Sequence, residues 1–351
     1  MINKLLYQTI FALALSLITY KAIAQDTQFS TEYNMPNYLN PALAGIGAPH
    51  ARGTYAFRLQ WPSLNAYSFS TYIGLEEYFP KYNSGIGFYT VQDNFAHGTL
   101  KRRSYNMQYA YSIELNDKTS MNLGGGIGIL QYLVDENALT FPNQYDNSGL
   151  NGLSSGENGL QRSKIAPDFS AGAIIYGDHF WISASALHIN NPNVSLSNLD
   201  DPYPMRFTLN LGYSIDISET KYNRYDYNKT RRSIIPILHY KHQGNSDQLD
   251  LGAYAMYDVF LAGLYYRGIP TKKYSPEFHN NEAIVIMIGY NYNHHVHISY
   301  SYDIVTSQLA GYSGGSHEIN IQLVPLIPVK VWKNKPKPQK SLPCPTFMER
   351  E

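Results

Sequence analysis

The sequence predicts a transmembrane antiparallel β-barrel of about fourteen strands, set in an outer membrane. Three observations carry this. Apolar and polar residues alternate with period two over unusually long stretches. Charged residues make up only 15% of the chain, against about 25% in an ordinary soluble domain, while 32 Tyr, 14 Phe and 3 Trp supply the apolar surface. Long and short connections follow one another in turn along much of the chain.

The alternation is plain in Arg52–Trp61. Gly53, Tyr55, Phe57, Leu59 and Trp61 share one face, and Arg52, Thr54, Ala56, Arg58 and Gln60 share the other. Tyr105, Met107, Tyr109, Tyr111, Ile113 and Leu115 oppose Ser104, Asn106, Gln108, Ala110, Ser112 and Glu114. Residues 205–218 and 296–305 repeat the pattern. Such runs exceed the usual soluble strand of about 5–6 residues and fit the roughly 9–11 of a tilted membrane strand.

The predicted strands are 52–61, 65–73, 84–93, 102–115, 120–132, 165–176, 179–188, 204–218, 232–242, 248–257, 259–268, 281–292, 295–306 and 315–324. The alternation is least clean in 165–176 and 281–292. Turns fall at 116–119, 177–178, 258 and 293–294, and loops at 133–164, 189–203, 269–280 and 307–314. Bacterial barrels have this asymmetry, with short periplasmic turns and longer outer loops. Four connections depart from it: 61–64 and 243–247 are short, and 74–83 and 219–231 are long.

The flanking segments read differently. Residues 1–24 form a secretory signal peptide: Lys4, an apolar run over Leu5–Tyr20, and a small-x-small cleavage site at Ala22-Ile23-Ala24. The run is short of the roughly 20 residues of a spanning helix. Residues 25–50, rich in Asn and Pro, are a plug or a periplasmic arm, and 51–324 the barrel. Residues 325–351, rich in Pro and Lys, lack the donors of a central strand and are assigned to a periplasmic tail, either an extension or a docking segment.

Chemistry is sparse. One Cys, Cys344, excludes an internal disulfide framework and a Cys-ligated zinc site. Lys+Arg and Asp+Glu both number 27, which gives no reason to expect a nucleic-acid partner. His294, His295 and His297 cluster around a predicted turn, where no fixed elements converge ligands on a metal. Gly124-Gly125-Gly126 and Gly128 lack the strand–loop–helix setting of a phosphate loop, so bending or close packing explains them better. Arg52, Arg58 and Arg206 take the polar face, to line a channel or pair with acids such as Glu114 and Asp216, and Arg267 is expected to snorkel to an interface. No enzyme, cofactor or metal site is expected.

Specific stretches go further. They include Gln25–Ser30, Tyr38-Leu39-Asn40-Pro41-Ala42-Leu43-Ala44-Gly45, Arg58-Leu59-Gln60-Trp61-Pro62 and Phe141-Pro142-Asn143-Gln144-Tyr145-Asp146. Gly263–Arg267, Ser299–Ile304 and Gly314–Ile319 complete the set. Together they resemble the PorP/SprF family of outer-membrane proteins of the Bacteroidetes type IX secretion system. Thr27, where the family more often has Pro, and Phe57, where Tyr is more usual, depart from the pattern.

The resemblance implies a non-enzymatic barrel that supports secretion, surface attachment and, in gliding species, movement of adhesins. The expected partners are a large secreted adhesin or a substrate with a type B C-terminal signal domain, other type IX components and outer-membrane lipids. The alternatives are a core-machine barrel contacting periplasmic ring lipoproteins and a porin-like channel. Partner contact is assigned to Asn143, Gln144, Tyr145 and Asp146 of the long loop and to Arg58 and Trp61.

Overall fold

A computed structural model describes residues 25–47, 51–135, 138–139, 145–146, 149–150, 161–197, 200–218, 232–275, 278–292 and 295–325. The predicted signal peptide and nearly all of the C-terminal tail lie outside them. No described helix is long and apolar enough to cross a membrane.

Fourteen antiparallel strands close into a barrel, as the alternation predicts. They are β1 Ala51–Gln60, β2 Ser68–Phe79, β3 Ser84–Phe95, β4 Leu100–Glu114, β5 Thr119–Val134, β6 Ser163–Gly177 and β7 Phe180–Leu187. Then follow β8 Arg206–Tyr213, β9 Arg232–Gln243, β10 Ser246–Tyr257, β11 Phe260–Ser275, β12 Phe278–Tyr292, β13 Val296–Val305 and β14 Ser316–Leu323. Each strand pairs with its sequence neighbours, and β1 pairs with β14 from Gly53↔Leu323 to Gln60↔Ser316, which leaves no free edge.

The period-two pattern fixes which side faces out. Met107, Ile127, Leu264 and Ile288 are each 57–62% exposed, while Ser104, Asn106, Gln108 and Ala110 of β4 are buried. This inverts the soluble pattern, and hydrocarbon is the solvent that such an outer face requires.

With an even strand count, both ends of the barrel wall lie at one rim, the terminal rim. Its short connections are 80–83, 115–118, 178–179, 258–259 and 293–295, and a longer one joins β8 to β9. The opposite loop rim carries the longer connections 61–67, 135–162, 188–205 and 306–315 and the short ones 96–99, 244–245 and 276–277.

Two boundaries differ from expectation. β2 runs on to Phe79, so the long 74–83 connection shrinks to a turn at 80–83. The Glu76-Glu77 pair reads as loop, but Glu77 faces outward near the rim and Glu76 is neutralised inside by Arg52 at 2.6 Å. The β11–β12 hairpin takes up most of 269–280, with register shifts after Arg267 and Ile269. The 219–231 connection lies outside the described residues.

The arginines also differ. Arg52, Arg58 and Arg206 do point inward, but Glu114 and Asp216 are exposed and are not their partners. Arg267 is fully buried in the lumen rather than at an interface. Arg52 and Arg267 pair with the acids directly across on a neighbouring strand, Glu76 and Asp250, while Arg58 takes its acids across the barrel closure and Arg206 takes Asp26 of the plug.

Candidate functional site

Residues 25–47 fill the lumen, and from Asp26 to Gly47 nearly every one is buried. The segment descends through a 3-10 turn at Glu32–Asn34, one helical turn at Pro36–Leu39 and a second 3-10 turn at Pro41–Leu43. Pro36 and Pro41 open the latter two, where their missing N–H costs nothing. The Asn40 side chain accepts from the Ala42 N–H at 2.8 Å and donates to the wall carbonyls of Ala173 and Ala184 at 3.1 and 3.0 Å.

Buried charge holds the plug at three heights, by direct ion pairs at Asp26 and by hydrogen bonds from the plug to ion pairs of the wall at the other two. At the loop rim, Asp26 meets Arg102 at 2.8 Å, His188 at 3.0 Å and Arg206 at 3.1 Å, and accepts from the Tyr203 hydroxyl at 2.9 Å. Arg102 also binds Asp93 at 2.7 Å. One level down, Arg58 spans Asp303 at 2.7 Å, Glu318 at 3.3 Å and the Ser30 hydroxyl at 2.7 Å. The Ser30 and Thr31 N–H groups donate to Glu318 at 2.7 and 2.9 Å. Arg267 bridges Asp250 and Asp303, each at 3.2 Å. At the terminal rim, Gly45 N–H donates to Glu76 at 2.8 Å and Arg52 donates to the Ile46 carbonyl at 3.0 Å.

Between these levels the contact is apolar. Tyr33, Leu39, Leu43 and Ile46 pack on Ile174, Trp181, Ile235, Met256, Val285 and Met287 of the wall. Opposite, Phe29, Met35 and Tyr38 pack on Tyr72, Tyr89 and Val91. The Arg206 guanidinium lies 4.3 Å over the Tyr38 ring.

The glycine run gains a role here. Gly124, Gly126 and Gly128 face inward on β5, and a Cβ on Gly124 would lie 2.4 Å from the Ala42 nitrogen. The plug touches the wall there with its backbone.

At the loop rim the mouth is divided. Loop 188–205 folds over one side, where Val194, Leu196 and Tyr203 pack on Leu130, Tyr132 and Ala166. The other side is an open cavity of about 720 Å³. Gln25–Gln28 are among its lining, with Trp61, Phe95, Asn281 and Glu282. Trp61 sits at φ 56, a strained backbone for a bulky residue. Its backbone N–H donates to the Gly315 carbonyl at 2.9 Å, which anchors the main chain at the mouth. The lining amides and hydroxyls offer donors and acceptors, and the two rings offer apolar contact.

The residues assigned to partner contact separate. Trp61 lies at the open mouth, whereas Arg58 is 2% exposed and turned to the plug. Tyr145–Asp146 forms a two-residue ladder with Gly149–Leu150, and Asn143 and Gln144 lie outside the described residues. Of the histidines, His297 is buried in the lumen, His295 closes the last terminal-rim turn, and His294 is outside the described residues. Asp26, Ser30, Asp303 and Glu318 are the site residues that sequence reasoning missed. Asp303 sits on the polar parity of β13, so the signal available was an inward acid with no local cation.

The latch at Asp26 carries a pH dependence. Burial alone would lower the His188 pKa, but the Asp26 and Asp168 carboxylates outweigh it and raise it from 6.5 to about 9. Burial likewise raises Asp26, yet His188, Arg206 and Arg102 outweigh it and hold the carboxyl well below its usual range. The His188 contribution is present in full below its unfolded pKa and is lost as pH rises through about 9. The Asp26 contribution is lost only on strong acidification. Amide protection of 26–29 should therefore fall on the alkaline side, and His188→Phe should remove that step. A protection profile flat from pH 6 to 10 in the parent protein would contradict this.

Comparison with known proteins follows the same lines. No curated protein matches the chain. Among solved structures it is similar to a Pseudomonas aeruginosa FadL homologue at 11% identity and TM-score 0.43, over 81% of this chain and 92% of that one. The deltaS2 mutant of the TodX monoaromatic hydrocarbon channel gives 11% and 0.42, over 81% and 90%. The KdgM porin gives 9% and 0.35, over 78% and 98%. Residues 22–323 match the family described as type IX secretion system membrane protein PorP/SprF. A plugged outer-membrane-type barrel with this match over most of its length belongs to the PorP/SprF family of the type IX secretion system.

Proposed function

We propose that this barrel is the substrate-partner kind of type IX component. It holds a surface adhesin or secreted protein with a type B C-terminal signal domain at its loop rim, and it performs no catalysis. The observation that carries the reading is the locked plug. A lumen occupied along its height by residues 25–47, tied by the Asp26 ion pairs and by hydrogen bonds to the buried Arg58–Glu318 and Arg52–Glu76 pairs of the wall, is suited to a rigid scaffold rather than a conduit. The surface left for recognition is the mouth, with Trp61 and Phe95 beside the amide-lined cavity, together with the long loop that includes Tyr145 and Asp146. Loops on a rigid scaffold are where recognition concentrates.

The test is affinity purification of the tagged barrel from outer membranes in mild detergent, paired with its deletion. One large secreted protein should co-purify, and the deletion should remove that protein from the surface while other exported proteins and general permeability stay unchanged. Loss of every type IX substrate would favour the core-machine alternative. Steady ion conductance of the purified barrel in planar bilayers would favour a channel.

A further inference from the structure

The plug has a direction. Gln25 is exposed at the loop rim, its carbonyl accepting from Arg102 at 2.9 Å, and Asp26 N–H donates to Gln243 at 2.8 Å. Arg102, His188, Arg206 and Gln243 all stand where their strands meet loop-rim connections. Gly45 and Ile46 bind Glu76 and Arg52 at the other rim. The chain therefore runs from the mouth down to the terminal rim before turning into β1. In an outer-membrane barrel the rim that carries both ends of the wall faces the periplasm, so the start of the plug faces the exterior.

This geometry conflicts with an intact leader. The apolar run Leu5–Tyr20 ends five residues before position 25. Five residues reach at most about 18 Å. A chain still held by that run in the inner membrane would keep Gln25 beside that membrane. The seat of Gln25 lies across the outer membrane, at the far end of strands such as the 15-residue β4, about 50 Å long before tilt.

We infer that the plug is seated only after the chain is cut before Gln25, and that the new N-terminus stands in the open mouth, reachable from outside the cell. The cut is hydrolysis of the Ala24–Gln25 peptide bond. The C–N bond breaks, water supplies the hydroxyl to the Ala24 carbonyl carbon, and the nitrogen leaves as the α-ammonium of Gln25. Removal of the leader thereby becomes a condition for closing the lumen. The first residues of the mature chain also become part of the floor that any partner at the mouth meets. The inference rests on the direction of the plug and the orientation of the barrel, not on which substrate is carried, so it survives failure of the partner reading.

The test uses the full-length protein in its own cells with Cys344→Ser as background. Gln28→Cys places a thiol on the cavity floor, and Lys118→Cys places one in the exposed β4–β5 turn at the terminal rim. A membrane-impermeant maleimide should label position 28 on intact cells and position 118 only after the outer membrane is permeabilised. The reverse pattern, or no labelling at 28 in a heat-modifiable and hence folded barrel, overturns the inference. Mass spectrometry of the labelled protein should find Gln25 as the first residue. Adding Ala24→Leu to block the cut should give a precursor unlabelled at position 28 on intact cells. A precursor labelled there as fully as the processed protein also overturns it.

Discussion

Replacing Gly124 by leucine should unseat the plug and open the lumen. The Cβ alone would sit 2.4–2.5 Å from the backbone of Pro41 and Ala42, and backbone cannot swing aside as a flexible side chain would. Overpacking a tight interior costs about 1–3 kcal/mol when side chains can adjust. Here the 3-10 turn Pro41–Leu43 must move as a body, and Asn40 loses its bonds to Ala173 and Ala184 with it. Amide protection over 39–46 should fall, and ion conductance should appear in planar bilayers. Gly125→Leu is the matched control. Gly125 faces the lipid, and its nearest neighbour is the Ser170 carbonyl oxygen at 3.8 Å, so that variant should stay closed. If both variants are equally closed, the plug is not seated by this backbone contact.

Much of this architecture is legible in the sequence, because a strand between two solvents writes its two faces as alternating residues. The alternation finds all fourteen strands and the facing of β4, β8 and β13. It weakens where the physics changes. β12 carries Ala283, Val285 and Met287 inside and Ile284, Ile286 and Ile288 outside, so it reads as nearly uniform apolar sequence. Its inner face meets the plug's Leu39, Leu43 and Ile46 rather than water. β6 blurs for the same reason, with Ile174 and Tyr176 inward.

The charged site is less legible. The inward arginines stand out by parity, and Arg52 and Arg267 meet acids directly across their own hairpins, but the partners of Arg58 and Arg206 are fixed by closure of the barrel and by the path of the plug. Arg58 finds Asp303 and Glu318 at separations of 245 and 260 residues, because β1 pairs with β14 and β14 with β13. No local rule reaches that far. Trp61 is easier to find, since it ends a strand at a predicted loop and lies in a recognisable motif.

The Arg58 cluster is where one substitution should cost most. Arg58→Met removes the cation held between two buried acids, and breaking a buried pair by deleting one partner costs about 3–5 kcal/mol. The two acids do not suffer equally. Asp303 keeps Arg267 at 3.2 Å, whereas Glu318 keeps only the Ser30 and Thr31 groups. Most of the loss should therefore belong to Glu318, and Arg58→Met with Glu318→Gln should recover part of it, since the amide removes the unpaired charge and its oxygen still accepts from the Thr31 N–H and hydroxyl, while the Ser30 N–H loses its acceptor. Adding Asp303→Asn to Arg58→Met should recover less. With Glu318→Gln and Asp303→Asn also made alone, the heat-modification midpoints in detergent read this as two double-mutant cycles. Equal midpoints for the parent and Arg58→Met would mean that the plug, and not the ion pair, sets barrel stability. Equal rescue by both amides would mean that Arg267 does not shield Asp303.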